Sequence, residues 1–288
     1  MSHPEPEGPV WIDGRLVAGE EAVVPVASVG VQSGVGVFET IAIRAGRPVD
    51  LDEHLERLER SGAVLHVPLR GRDEISAAVR EVALRVPSGH GWLKIVVLRE
   101  GRTAVFAGES PREEEGRPAH AVLLPWRRGR RDPLVGVKST SYAANVVGLE
   151  WARSRGADEG LWRNDRERIT EGCASNVFAI RGRAVFTPAV AEGILDGVTR
   201  AKAIAAAKSL GLSVHEGTVR VPRLAAAAEA FLSSSLKGIR PLLSLDGRRI
   251  GTGTPGPWTA AIAAATARIR GIGLEETEPA AQDAGGTR

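Results

Sequence analysis

Cysteine is almost absent: the 288 residues hold one, Cys173. A lone thiol forms no disulfide within the chain and offers no cysteine cluster to a metal ion. The six histidines show no metal-ligand spacing, so no metal site is expected. No run approaches the ~18 consecutive apolar residues of a membrane-spanning helix. Met1 to Gly8 also lacks the apolar core of a secretion signal. These absences predict a cytoplasmic protein without a membrane partner. Aromatic residues make up 4% and the net charge is only +3. A nucleic-acid surface needs basic charge spread over a face with stacking aromatics, so no nucleic-acid partner is expected. The one dense basic cluster, Trp126-Arg127-Arg128-Gly129-Arg130-Arg131, reads as a solvated linker. Gly30, Gly34 and Gly36 follow neither a P-loop nor a dinucleotide pattern. Lysine is the last scarcity, with five against 33 arginines.

What is present builds a substantial core, at 43% hydrophobic residues. Val10-Trp11-Ile12 and Arg15-Leu16-Val17 flank Asp13-Gly14, a hairpin signature. Val37 to Ile43 reads as a strand. Leu51, Leu55 and Leu58 mark a helix that Asp50 or Asp52 would cap. Ile75 to Val86 is a second helix, and Leu93 to Leu98 and Ala121 to Leu124 are short strands. Pro125 to Gly136 breaks all periodicity. Beyond it come a helix from Ala143 closed near Gly156, strands at 160–163, 168–170, 177–180 and 184–187, and a helix from Thr199 to about Gly211. A strand at 230–233, a hairpin around Asp246-Gly247 and a helix from Trp258 to Ile269 complete the pattern. The mixture predicts an α+β fold without doubly wound regularity. Its expected parts are an N-terminal domain over 1–124, a linker over 125–136 and a C-terminal domain over 137–274. Residues 1–8 and 275–288 read as disordered ends.

Where arginine is so strongly preferred, a retained lysine invites a reason arginine cannot satisfy. An amine can lose its proton and form a Schiff base; a guanidinium stays charged. Lys138 stands in Gly136-Val137-Lys138-Ser139-Thr140-Ser141-Tyr142, which includes the only tyrosine. Glu171 follows in Thr170-Glu171-Gly172-Cys173-Ala174-Ser175-Asn176-Val177-Phe178. A Schiff-base lysine, a phenol and a carboxylate are workable partners for pyridoxal phosphate. Taken alone, Lys138 equally reads as an exposed strand-end lysine, Tyr142 as a core residue and Glu171 as a turn residue.

Four segments in order carry a family resemblance: Gly36-Val37-Phe38-Glu39-Thr40 with Asp52 to Leu58; the Lys138 segment; the Glu171 loop with Gly193-Ile194-Leu195-Asp196-Gly197-Val198-Thr199-Arg200; and Phe231-Leu232-Ser233-Ser234-Ser235. From about Trp11 to about Gly271 the chain resembles the class IV, or fold-type-IV, pyridoxal-phosphate aminotransferases. That group includes branched-chain and D-amino acid aminotransferases and 4-amino-4-deoxychorismate lyases. The resemblance implies a two-domain fold like that of D-amino acid aminotransferase, with a smaller α/β sandwich and a larger barrel-like domain. It implies a homodimer and pyridoxal 5′-phosphate joined to Lys138. It makes Glu171 the partner of the pyridine nitrogen and Tyr142 the donor to the phenolate oxygen. Arg57, Val198, Thr199, Ser234 and Ser235 would hold the phosphate, with Asn176 orienting the Glu171 loop. Thr199 also reads as a simple N-cap, Arg57 as a surface ion-pair partner and Cys173 as a packed residue.

The sequence departs from the family at Ser28 and Val35, where aspartates are usual, and at Ala42, where branched-chain enzymes carry an arginine. Phe38, Arg44, Arg99 and Arg102 are the candidate substrate contacts, the arginines as carboxylate anchors. The expected activity moves an amino group between an amino acid and a 2-oxo acid. The alternatives are release of pyruvate from 4-amino-4-deoxychorismate and a non-catalytic relative that keeps the fold.

Overall fold

The protein was studied as a computed structural model, which describes residues 8–110 and 115–272. The expected disordered ends fall outside these residues, apart from Gly8. A six-stranded sheet takes its strands from β1 (Val10–Ile12), β2 (Arg15–Val17), β3 (Gly36–Arg44), β4 (Arg47–Pro48), β5 (Gly91–Leu98) and β6 (Thr103–Glu109), in the order β2-β1-β6-β5-β3-β4. Around it lie α1 (Val29–Gln32), α2 (Leu51–Leu65) and α3 (Arg72–Ala83). Alternation along β3 and β5 decides what faces what. Val37, Ile41 and Ile43, with Leu93, Ile95 and Val97, pack under Leu55 and Leu58 of α2 and Val79 of α3. Phe38, Thr40 and Ala42 therefore point from the opposite face.

The second sheet has ten strands: β7 (Ala119–Arg128), β8 (Glu159–Asn164), β9 (Arg168–Gly172), β10 (Asn176–Arg181), β11 (Ala184–Pro188), β12 (Ser213–Gly217), β13 (Val219–Arg220), β14 (Glu229–Ser234), β15 (Gly238–Leu245) and β16 (Arg248–Arg249). The main path runs β12-β11-β10-β14-β15-β7-β8-β9-β13. Its two arms curl towards each other. Ile169 of β9 and Val219 of β13 share one apolar cluster with Val177 of β10 and Leu232 of β14. The architecture is α+β, a half-barrel sheet beside a nearly closed, barrel-like one. On the outer face of β10 and β14, Phe178 and Phe231 stack at 4.4 Å. They pack against α5 (Val198–Ser209) and α7 (Pro257–Ile269), whose alanines allow close approach. The short α4 (Ala143–Arg153) and α6 (Val221–Ala225) close the rim.

Two local expectations are corrected. The strand expected at Ala121 to Leu124 extends from Ala119 to Arg128 and pairs with β8 and β15, so it belongs to the second sheet. Residues 125–128 are strand rather than linker. Asp50 does occupy the N-cap of α2, but at φ 55° and without a capping bond. Its carboxylate is drawn off to Arg270, at 2.7 Å.

One contact joins the two halves where chemistry is expected. β4 covers only the Ile43–Arg44 end of β3, leaving the Gly36 end as a free edge. Residues 138–140 fill it: Phe38 N donates to the Lys138 carbonyl and Thr140 N to the Gly36 carbonyl, both at 2.9 Å. Position 36 must be glycine for this approach, because a Cβ would meet Val97 O at 2.7 Å and Thr140 Oγ1 at 2.9 Å.

Candidate active site

Between the two sheets lies a cavity of about 680 Å³, lined by Lys138, Tyr142, Glu171, Arg57, Thr199 and Ser235 among others. Sequence-distant segments meet there because each sits at the end of an element. Lys138 is on the segment that fills the β3 edge. Tyr142 precedes the first turn of α4, Glu171 ends β9, and Val198 and Thr199 open α5.

The Lys138 amine is buried, 4.5 Å from the centre of the Phe38 ring. Burial first, then the Arg57 charge, hold its pKa down to about 8, while Glu39 and Glu171 pull the other way. A large neutral fraction therefore exists near pH 8. Phe38 also meets Tyr142 edge to face at 5.2 Å, forming an apolar floor. The Tyr142 hydroxyl donates to Cys173 O at 2.6 Å, and burial raises its pKa. Glu171 accepts from Leu195 N at 2.9 Å and from Arg128 Nη1 at 3.3 Å. Burial raises its pKa despite the Arg128 charge, so the carboxylate sits where a proton or a cationic partner is favoured.

Arg57 emerges from the buried stripe of α2 and is fixed from behind. Its Nε and Nη2 donate to Glu39 at 2.8 and 2.7 Å, and Nη1 donates to Asp196 O at 3.1 Å. Burial alone would raise the Glu39 pKa, but Arg57 and then His54 outweigh it and hold the carboxyl well below the usual range. The Arg57 charge is thus pinned at the cavity wall. Opposite it, the first N–H groups of α5 have no partner within the helix. Thr199 Oγ1 and Ser233 Oγ are buried with no hydrogen-bond partner among the described residues. Buried orphan hydroxyls are costly unless a ligand satisfies them. A helix N-terminus, a fixed guanidinium and unspent hydroxyls together suit a phosphate.

Comparison with known proteins agrees with this geometry. The family model for amino-transferase class IV matches residues 36–245. The chain belongs to the class IV aminotransferases. A D-alanine aminotransferase from Bacillus licheniformis is 30% identical over 266 residues, covering 87% of this chain and 93% of its own. An aminodeoxychorismate lyase from Bacillus subtilis is 28% identical over 253 residues, 82% of this chain and 86% of its own. Among solved structures, a branched-chain aminotransferase from Thermoproteus uzoniensis with norvaline superposes with a TM-score of 0.85 at 30% identity, covering 93% of this chain and 96% of that one. Another branched-chain amino acid aminotransferase, with a TM-score of 0.84 at 25% identity over 92% of this chain and 94% of that one, was solved with pyridoxamine 5′-phosphate.

Within this class IV site, the residues named from sequence separate into two groups. Lys138, Tyr142, Glu171, Arg57, Val198 and Thr199 converge on the cavity, as do Asn176, Ser234, Ser235 and Phe38. Asn176 Nδ2 donates to Leu195 O at 3.0 Å, and Leu195 N in turn holds Glu171. Ser234 Oγ accepts from Lys237 N at 3.3 Å, and Ser235 Oγ lies 3.4 Å from His54 Nε2. The three arginines proposed as carboxylate anchors are committed elsewhere. Arg44 lies on the expected strand face but pairs with Glu115 and donates to Leu236 O at 3.2 Å. Arg99 donates to His66 O, and Arg102 pairs with Asp13 at 3.0 Å. None of the three lines the cavity. Of the family departures, Ser28 caps α1 through Val31 N, and the Val35 carbonyl accepts from Arg99 N at 2.9 Å.

Sequence reasoning missed Glu39, Arg128 and Glu159. Glu39 shares the parity of Val37 and Ile41, so strand alternation alone puts a carboxylate in the core, where it must find a cation. Arg128 was read as solvated linker; it lies on β7 with its guanidinium 4.1 Å from the centre of the Trp162 ring and bonded to Glu171. Glu159 is buried and binds the Glu171 loop through Cys173 N at 3.0 Å and Ser175 Oγ at 2.7 Å. No pattern in the sequence marks it. Cys173 is a packed thiol, its pKa pushed up to about 12 by burial and then Glu159. Among the described residues no cluster suits a metal ion, and no helix is long and apolar enough to cross a membrane.

Proposed function

We propose that this class IV enzyme is a pyridoxal-phosphate-dependent aminotransferase, moving an amino group between an amino acid and a 2-oxo acid. The carrying observation is the buried Lys138 amine, which faces the same cavity as Glu171 and the orphan hydroxyl of Thr199. When bound, pyridoxal phosphate supplies an aldehyde carbon for the amine and a ring that accepts electrons from the substrate Cα–H bond. The chain's residues do the rest. Lys138 would hold the cofactor through its Nζ and would move the proton at the substrate Cα. Glu171 would face the ring nitrogen and keep it protonated. Tyr142 Oη would donate to the phenolate oxygen in place of Cys173 O. Arg57, the start of α5, Thr199 and Ser233 to Ser235 would hold the phosphate. Phe38 keeps water from the amine.

The similarity to a lyase as well as to transferases supports a second reading, release of pyruvate from 4-amino-4-deoxychorismate. The two share their cavity residues and separate only by product. Purified protein saturated with pyridoxal phosphate should gain a visible absorbance band. Borohydride should then fix the cofactor to the Lys138 peptide, as read by mass spectrometry. Single D- or L-amino acids should bleach the band and leave pyridoxamine phosphate. A colourless protein, or an adduct on another side chain, would sink both readings. Pyruvate from aminodeoxychorismate, with no bleaching by a broad amino-acid panel, would select the lyase.

Family membership supports a cytoplasmic homodimer, open to sedimentation velocity and cell fractionation. Sheet pairing supports a first domain that ends before β7 and a second, cofactor-binding domain after it.

A further inference from the structure

The turn that follows Glu171 is wound around a second carboxylate. Glu159 opens β8 on the same strand face as Leu161, which packs in the barrel interior, and it lines the cavity. Its Oε1 accepts from Gly160 N at 3.1 Å and from Cys173 N at 3.0 Å, and its Oε2 accepts from Ser175 Oγ at 2.7 Å. Ala174 N adds a further bond. The turn closes on itself where Gly172 N donates to Ser175 O at 2.7 Å. Residue 172 must lack a side chain for this, because a Cβ would meet Glu159 Cδ at 2.8 Å.

Glu159 is buried, and among the described residues no cation pairs with it. Burial raises its pKa against those hydrogen bonds. A glutamine would serve the turn with no charge to bury: its oxygen accepts from backbone N–H groups and its amide donates to Ser175 Oγ. The charge therefore invites a role beyond shaping the turn. Cys173, within the turn, gives its carbonyl to Tyr142 Oη at 2.6 Å, and Glu171 leads into the turn from β9. Negative charge at Glu159 favours the protonated forms of Tyr142, Glu171 and Cys173, and Arg128 opposes it at all three. Arg128 is itself taken up by Glu171 and Asn145.

We propose that Glu159 is a positioning residue that acts on Tyr142 and Glu171 through the turn of residues 172–175, aiming the phenol and holding its proton. The consequence for catalysis rests on the aminotransferase reading above, in which a protonated Tyr142 would donate to the phenolate oxygen. The positioning itself is open to test without the cofactor.

Tyr142 is the only tyrosine and Cys173 the only cysteine, so ultraviolet titration of the cofactor-free protein reads each side chain without a label. In wild type, Tyr142 should stay protonated near pH 10.0, where an ordinary tyrosine is half ionised, and the Cys173 thiol should titrate at about 12. Glu159→Gln keeps the shape and removes the charge. It should bring both ionisations down by on the order of one pH unit while circular dichroism shows the folded state. Glu159→Asp draws the charge back from the turn by one methylene. It should give a smaller shift in the same direction, and it decides the question if Glu159→Gln does not fold. In the loaded enzyme, the pH at which the visible band changes should fall in Glu159→Gln, because less negative charge favours loss of a proton from the Lys138 nitrogen. Tyrosine and cysteine titrations that do not move in a folded variant would leave Glu159 a structural residue only and overturn the inference. A protein that shows those shifts but never gains a visible band would remove the aminotransferase reading alone.

Discussion

At the scale of single residues, the site is built on charges held against their preference. Lys138 falls from an ordinary 10.5 to about 8 on burial. The unfolded chain therefore binds more protons than the folded one between those values, and stability rises with pH across that window. Below it, keeping the amine in the fold costs on the order of 3 kcal/mol. Lys138→Met should raise the melting temperature of the cofactor-free protein by several degrees at pH 7. The gain should shrink as pH climbs from 8 towards 10.5, measured by thermal denaturation at a series of pH values. A gain that does not vary with pH would mean that Lys138 is not a buried titrating amine. Scarcity of lysine and tyrosine singled out Lys138 and Tyr142, the family motif singled out Glu171, and all three line the cavity. The roles of Arg44, Arg99 and Arg102 were not legible, because a guanidinium takes the nearest acceptor, and Glu115, His66 O and Asp13 are near only after folding.

Elements matter here through their ends. The cavity collects the last two residues of β9, the last three of β14 and the first turns of α4 and α5. Helix α5 can start where it does because residue 197 has no side chain: a Cβ there would run into Asn176 Oδ1. Asn176 is itself tied to Leu195 O. Gly197→Ala should push the first turn of α5 away from the cavity and weaken pyridoxal phosphate binding on the order of tenfold, equivalent to about 1.4 kcal/mol. Equilibrium titration of the visible band measures this, and unchanged affinity would remove α5 from the phosphate site. The helices and most strands were legible because the 3.6 and 2.0 periodicities are local properties. β7 was misread because proline and arginine mask a strand whose hydrogen bonds go to distant partners.

Across the whole molecule, the two sheets are clamped by buried charge beside the cavity. Asp50, at the start of α2, binds Arg270 from the end of α7 at 2.7 Å. Lys202 of α5 approaches the same carboxylate at 3.8 Å. Both members of the Asp50–Arg270 pair are nearly inaccessible, so removing one strands the other. Asp50→Ala should cost about 3–5 kcal/mol. Urea denaturation should show a lower midpoint, and a loss under 1 kcal/mol would show the clamp to be dispensable. No sequence spacing foretells a pair 220 residues apart.

By itself the sequence determined the fold class and most of the helices and strands, and it offered Lys138 as the candidate amine. Those follow from local periodicity and from four ordered segments that carry the family resemblance. The tertiary structure alone decided which charges are spent and which remain available. It set Glu39 behind Arg57 and Arg128 beside Glu171, and it left Lys94 on an aromatic ring with no carboxylate partner among the described residues. The reason is physical: the energy of a buried charge depends on what lies within a few ångströms of it, and chain order does not fix those neighbours.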